Sequence, residues 1–171
     1  MAANIAPGME RDFTAEDWRH IVDKGRWQDA QEEAEDLVNL EIETDIQGYD
    51  IDDHMVEIAR ENAKRAGVEK LIHFQRRDVA QLSHPKKYGF IITNPPYGER
   101  LRDKEEMPAL YRTIGERFRL LDTWSMYLIS AYEGAERDIG RKADRNRKIY
   151  NGMMKAYYYQ FLGPKPPRAK Q

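Results

Sequence analysis

The chain has 171 residues and a mass of 20.1 kDa, the size of one ordinary domain. Its charged fraction of 34% and mean hydropathy of −0.86 mark a wet surface, while three Trp, ten Tyr and five Phe exclude a disordered composition. Cysteine is absent, which excludes disulfides, thiolate metal sites and cysteine nucleophiles; with no apolar run long enough for a bilayer and no signal-peptide pattern at Met1-Ala2-Ala3-Asn4, the expected compartment is the cytoplasm.

The net charge of −2 hides two opposed ends. Residues 137–171 carry ten Lys/Arg and two Asp, whereas residues 10–53 carry sixteen acidic and four basic residues. A basic end on an otherwise acidic chain suits a polyanionic partner met from one side.

Residues 1–13 read as an irregular lead-in with a turn at Pro7-Gly8. Thr14 can cap a short helix over 14–22, Gly25 breaks it, and a strongly acidic helix is expected over about 27–40. A short strand over 47–51 leads to a helix capped by Asp52 or Asp53. Met55, Ile58, Ala59, Asn62, Ala63 and Ala66 recur at three and four, giving an apolar face of small residues, and Gly67 stands where a C-cap glycine belongs. A second strand is expected over 71–75, followed by Arg77-Asp78-Val79. Residues 88–93 read as an apolar strand of the buried, parallel type that runs into Asn94-Pro95-Pro96-Tyr97.

A helix over 105–120 and an apolar strand over 124–130 follow, and Asn151-Gly152 between two further strands predicts an antiparallel hairpin. The order gives an α/β fold in one domain: a helical lead-in over 1–45, an α/β core over 46–131 and a basic hairpin with its tail over 132–171. Trp18 and Trp27 read as core aromatics. Tyr157-Tyr158-Tyr159 must alternate between the two faces of a strand, so at least one tyrosine is expected to be exposed. With Arg145, Arg147 and Lys148 close by, that end is the candidate nucleic-acid surface. The four histidines, His20, His54, His73 and His84, share no ligand spacing, and no metal site is expected.

Open parallel sheets bind ligands at the carboxyl ends of their strands. Asp50, Asp78 and Asn94 fall at three successive strand ends, and although each alone suits an ordinary cap or turn, the three together point to a ligand site. Asn94-Pro95-Pro96-Tyr97 is the most specific of these features. Two prolines stiffen the turn and remove two N–H donors. Asn94 then offers a side-chain carbonyl, Pro95 a backbone carbonyl and Tyr97 a flat ring. Two acceptors and a stacking surface suit a planar substrate with an exocyclic amino group, with stacking worth about 1–3 kcal/mol.

Asn-Pro-Pro-Tyr after such a strand resembles the amino-group methyltransferases that use S-adenosylmethionine (SAM) on a Rossmann-like fold. The longer text Asn94-Pro95-Pro96-Tyr97-Gly98-Glu99-Arg100-Leu101, together with Asn4-Ile5-Ala6-Pro7-Gly8 and Gly163-Pro164-Lys165-Pro166-Pro167-Arg168, is similar to the RlmL/YpsC family of 23S rRNA guanine-N2 methyltransferases. The resemblance runs over essentially the whole chain. It implies a Rossmann-like class I methyltransferase sheet with a C-terminal antiparallel hairpin, SAM as cofactor and RNA, 23S rRNA in particular, as partner.

Residue by residue, it implies that Asp50 holds the ribose hydroxyls of SAM and that Ile51 packs beside its adenine. Asp78 would meet the adenine amino group, with Val79 supplying a backbone donor. Asn94, Pro95, Pro96 and Tyr97 would hold the target base, with Asn94 also bordering the cofactor, and Asp52 would cap its helix.

Two family features are not in this sequence: the THUMP-type RNA-binding region and the Phe-x-Gly-x-Gly loop that cradles the methionine part of SAM. The chain is therefore expected to lack the sheet's central first strand, leaving the strands that end near Asp50 and Asn94 without a common neighbour. Three functions stay open: transfer to guanine N2 in RNA, transfer to adenine N6 or a protein glutamine amide, and a catalytically inactive fragment that only binds RNA.

Overall fold

A computed structural model describes residues 2–9, 11–96 and 101–167, with residues 101–104 and 151 described through their backbone. The chain divides into two compact units, Met1–Arg76 and Arg77–Gln171.

In the first unit, Asp23 Oδ1 accepts from the Arg26 amide at 3.0 Å and starts helix α1, Lys24–Asp36. This cap sets the helix three residues ahead of the expected start and takes Gly25 into its first turn rather than using it as a breaker. The helix expected over 14–22 is instead one 3-10 turn, Thr14–Asp17, where the Glu16 carboxylate accepts from the Phe13 amide. Trp18, expected in the core, is half exposed, while Trp27 is half-buried with its ring 5.8 Å from that of Phe13.

Strand β1, Ile46–Asp50, pairs in parallel with β2, Ile72–Arg76, with Gly48 opposite Phe74 and Asp50 opposite Arg76. The Phe74 ring lies where a Cβ on Gly48 would stand, so the pairing needs glycine there. Helix α2, Asp53–Arg65, connects the two strands; Asp52 caps it by accepting from the His54 amide at 2.9 Å, and Gly67 (φ +64°) follows its end as expected. Its apolar face is narrower than its sequence periodicity. Val56 and Ala63 are buried, whereas Met55 and Ile58 remain exposed, because a sheet of only two strands covers a stripe rather than a full helical face.

The second unit contains β3 (Phe90–Thr93), α3 (Leu101–Leu120), β4 (Ser125–Ser130), α4 (Ala135–Ile139), β5 (Arg145–Asn151) and β6 (Met154–Phe161). The sheet order is β3-β4-β6-β5, with β3 parallel to β4 and the other pairs antiparallel. Its core lies on one face, where Met126, Leu128, Tyr159 and Phe161 pack against Met107, Tyr111, Ile114 and Phe118 of α3 and Ala135 and Ile139 of α4. Strand β3 is not buried on both faces as its apolar run suggests: Phe90 is 67% and Ile92 83% exposed, while Ile91 packs on the core. The strand alternates like any other, and α3 and α4 cover one face.

The hairpin forms one residue later than expected. Asn151 pairs with Met154, leaving Gly152-Met153 as the turn, and a positive φ at Gly152 alone (+59°) is the type II′ pattern. Two sheets form, and among the described residues β1 and β3 are each paired on one side only. The strands ending at Asp50 and just before Asn94 thus lie in different sheets. Among the described residues, no helix is long and apolar enough to cross a membrane.

Candidate functional site

In the first unit the site residues stand on the connection from β1 to α2. Asp50, the last residue of β1, is exposed, and its Oδ1 accepts from the Asp52 amide at 2.9 Å. The turn puts Ile51 out into solvent beside it. Arg76, the cross-strand partner of Asp50, donates from Nε to the Ile51 carbonyl (3.0 Å) and from Nη1 to Asp53 Oδ2 (3.2 Å). This arginine fixes the turn from the neighbouring strand. It was not singled out from the sequence, because only the register of the parallel pair brings it there. A carboxylate with one oxygen on a backbone amide retains acceptor capacity for a pair of hydroxyls, and the adjacent aliphatic surface suits a flat apolar ring.

In the second unit Asp78 caps a 3-10 turn, Val79–Gln81, with Oδ1 accepting from the Ala80 amide at 2.7 Å. Val79 is half-buried against the core. Past the end of β3, Asn94 is exposed, Pro95 buried and Pro96 exposed. Tyr97 lies outside the described residues. Asp50 and Ile51 therefore belong to one unit, and Asp78, Val79 and the Asn94–Pro96 turn to the other.

Behind the turn lies a buried polar pair that sequence reading missed. The Tyr111 hydroxyl is 2.5 Å from Ser130 Oγ, and both residues are 0% exposed. Tyr111 also donates to the Pro96 carbonyl at 3.4 Å, and the Tyr132 amide donates to Ser130 Oγ at 2.9 Å. The Tyr132 ring packs 4.9 Å from that of Tyr111, and its hydroxyl donates to Asp138 Oδ2, which Arg137 also meets at 2.9 Å. The Arg137 hydrogen bond, helped by Tyr132, holds the Asp138 carboxyl below its usual pKa. Burial, reinforced by the Asp138 hydrogen bond, pushes the Tyr132 phenol above its own.

The basic end is less uniform than its composition. Arg145, Arg147 and Lys148 are all exposed on β5, but strand alternation sends the two arginines to one face and Lys148 to the other. There Lys148 Nζ stands 5.1 Å from the Tyr150 ring. The expectation of an exposed tyrosine in the Tyr157–Tyr159 triplet is corrected. Tyr159 is buried, Tyr157 is half-buried, and Tyr158 is half-buried and stacked on Tyr127 at 6.1 Å. The exposed hairpin tyrosine is Tyr150. Among the described residues no three His, Asp or Glu side chains gather as metal ligands.

Comparison with known proteins places these features in a context. Residues 1–160 match the family described as RMKL-like, methyltransferase domain. The chain is 42% identical over 168 residues to "Putative RNA methyltransferase YpsC" of Bacillus subtilis, covering 98% of this chain and 43% of that protein. It is 37% identical over 163 residues to "Ribosomal RNA large subunit methyltransferase K/L" of Shewanella baltica, covering 92% and 23%. Among solved structures it is similar to "a possible methylase from Clostridium difficile 630" (TM-score 0.88, 48% identity, 98% of this chain and 44% of that one). It is also similar to "SMU.472, a putative methyltransferase complexed with SAH" (TM-score 0.87, 41% identity, 96% and 44%). The chain thus spans less than half the length of the curated relatives it matches.

Proposed function

The chain belongs to the RMKL-like methyltransferase domain family, and from that membership we propose that it serves SAM-dependent methyl transfer to the exocyclic amino group of a base in RNA, guanine N2 of 23S rRNA, in the cytoplasm. The observation that carries the reading is the exposed Asn94 at the carboxyl end of a parallel strand, on a turn whose two prolines leave carbonyls as its hydrogen-bonding groups. The relatives' names support RNA, and rRNA in particular, as substrate, and the neighbour bound to SAH supports the cofactor.

The residues present suit SAM by the chemistry of their donors. Asp50, exposed and with only its Oδ1 on the Asp52 amide, suits the ribose hydroxyls, and exposed Ile51 suits the adenine. Asp78 and the Val79 amide would meet the adenine edge. SAM, when bound, supplies an electrophilic methyl group.

The chain's own part is to prepare the amine. Asn94 Oδ1 and the Pro95 carbonyl accept hydrogen bonds from its two N–H groups, drawing the nitrogen lone pair out of conjugation with the ring and aiming it. Tyr97 stacks on the base. As the N–C bond forms and the S–C bond breaks, the amine gives up a proton to solvent, so no titrating general base is required.

The test is nucleoside analysis of 23S rRNA transcripts incubated with the protein and isotopically labelled SAM. Label in N2-methylguanosine supports the reading. Label in N6-methyladenosine moves the acceptor, and label in protein moves it to a glutamine amide. RNA retained without label places the chain among non-catalytic binders.

A further inference from the structure

We propose that Tyr111 is a positioning residue for the methyl-transfer turn: anchored on Ser130 inside the core, its hydroxyl holds the Pro96 carbonyl and thereby sets the direction in which Asn94 and the Pro95 carbonyl present their acceptors. The inference rests on the function proposed above and deepens it.

The two prolines are the reason such a hold is needed. Neither has an N–H, so the turn cannot secure itself at those positions through its own amides, and only its carbonyls can be tied from outside. The Tyr111 hydroxyl reaches one of them, the Pro96 carbonyl, at 3.4 Å. This is long for an O–H donor, a spacing common for site contacts that tighten around substrate.

The anchor behind it is firm. Tyr111 Oη and Ser130 Oγ are 2.5 Å apart and wholly buried, and the Tyr132 amide donates to the serine. Either hydroxyl can donate in the central bond; when Ser130 does, the tyrosine proton is left for Pro96. A Phe–Ala pair of similar shape would fill this core but would leave two backbone groups without these partners, the Tyr132 amide and the Pro96 carbonyl. The polar pair thus ties the turn to the segment that follows β4.

The network extends outward to two exposed arginines. Tyr132 packs on Tyr111 and is itself held by Asp138, which meets Arg137 and, at 3.9 Å, Arg112. Residues from α3, the end of β4 and α4 thus converge behind the turn.

The experiment compares wild type with Tyr111→Phe, Ser130→Ala and Asn94→Ala, well below their unfolding temperatures. Steady-state methyl transfer and the Asn94 side-chain amide signals in 15N-labelled protein are both read. The expected result for Tyr111→Phe is a roughly tenfold lower kcat at unchanged KM for SAM and for RNA, with the Asn94 amide signals shifted or broadened and the hairpin signals unchanged. Ser130→Ala should reproduce it by removing the anchor, and it serves in place of Tyr111→Phe should that variant not fold. Wild-type kcat together with unmoved Asn94 signals would overturn the inference, whatever happens to the unfolding temperature. If Asn94→Ala retains full turnover, or wild type transfers no methyl group, the proposed function falls, and the Asn94 signals alone then decide whether Tyr111 positions the turn.

Discussion

Asp138 keeps its charge with only 9% of its side chain exposed, because Arg137 and the Tyr132 hydroxyl both hydrogen-bond it. Its pKa in the fold lies below the ordinary value. Its stabilising contribution is therefore complete above the ordinary aspartate pKa of about 3.9 and is lost as pH falls through the lower, folded value. Urea midpoints measured between about pH 2 and 6 should fall on the acid side for wild type, and Asp138→Asn should flatten that limb while lowering stability at neutral pH. An equally steep acid limb in the variant would assign the loss to other carboxylates, Asp144 first among them, whose pKa is lowered by the Leu162 amide and by Arg141. At this scale the positions of Asp50, Asp78 and Asn94 were legible, because each lies at or just past the end of a strand. Tyr111 and Ser130 were not, since their bond joins residues 19 positions apart and leaves no local pattern.

Helix α3 and the short α4 meet across Gly115. A Cβ there would overlap the Ile139 backbone carbonyl, which cannot swing aside as a side-chain end can. Gly115→Ala is expected to cost about 1–3 kcal/mol, the usual range for overpacking, read as a lower urea midpoint at unchanged m-value. A wild-type midpoint would mean that α4 gives way easily, and that it is not a fixed part of the wall behind Tyr132. The sequence did not reveal α4, because five residues are too few to show a helical period. Nor did it reveal the turn shift in the hairpin: Asn-Gly promised both turn positions, but the strand register places Asn151 in the ladder. The longer elements α2, α3 and β4 were legible, since each repeats its pattern over enough residues to fix its type.

Across the molecule, opposed charge is the broadest feature, with a basic hairpin at one end of the sequence and an acidic helix, α1, near the other. Because Arg145 and Arg147 share a face and Lys148 does not, the RNA-facing charge should reside mainly in the arginine pair. Arg145→Gln with Arg147→Gln should flatten the log–log salt dependence of RNA affinity by about 1.4–1.8, from about 0.7–0.9 for each phosphate no longer neutralised, and leave base preference unchanged. Lys148→Gln alone should change it little, and neutralising Glu32 and Glu33 of α1 not at all. An unchanged slope in the double variant would make the hairpin an ordinary solvated edge.

Asn94 is to accept, through its side-chain carbonyl, from an amine as that amine loses conjugation. Single-turnover methyl transfer to 23S rRNA, at saturating SAM and with SAM affinity measured in parallel by calorimetry, tests this most directly. Asn94→Ala should lower the rate by about 10²–10³, the scale seen when one preorganised hydrogen-bonding group is removed, and leave the affinity for SAM nearly unchanged. A variant that transfers at the wild-type rate would contradict the amino-group mechanism, and if its affinity for SAM were lowered at the same time, Asn94 would be a cofactor contact instead.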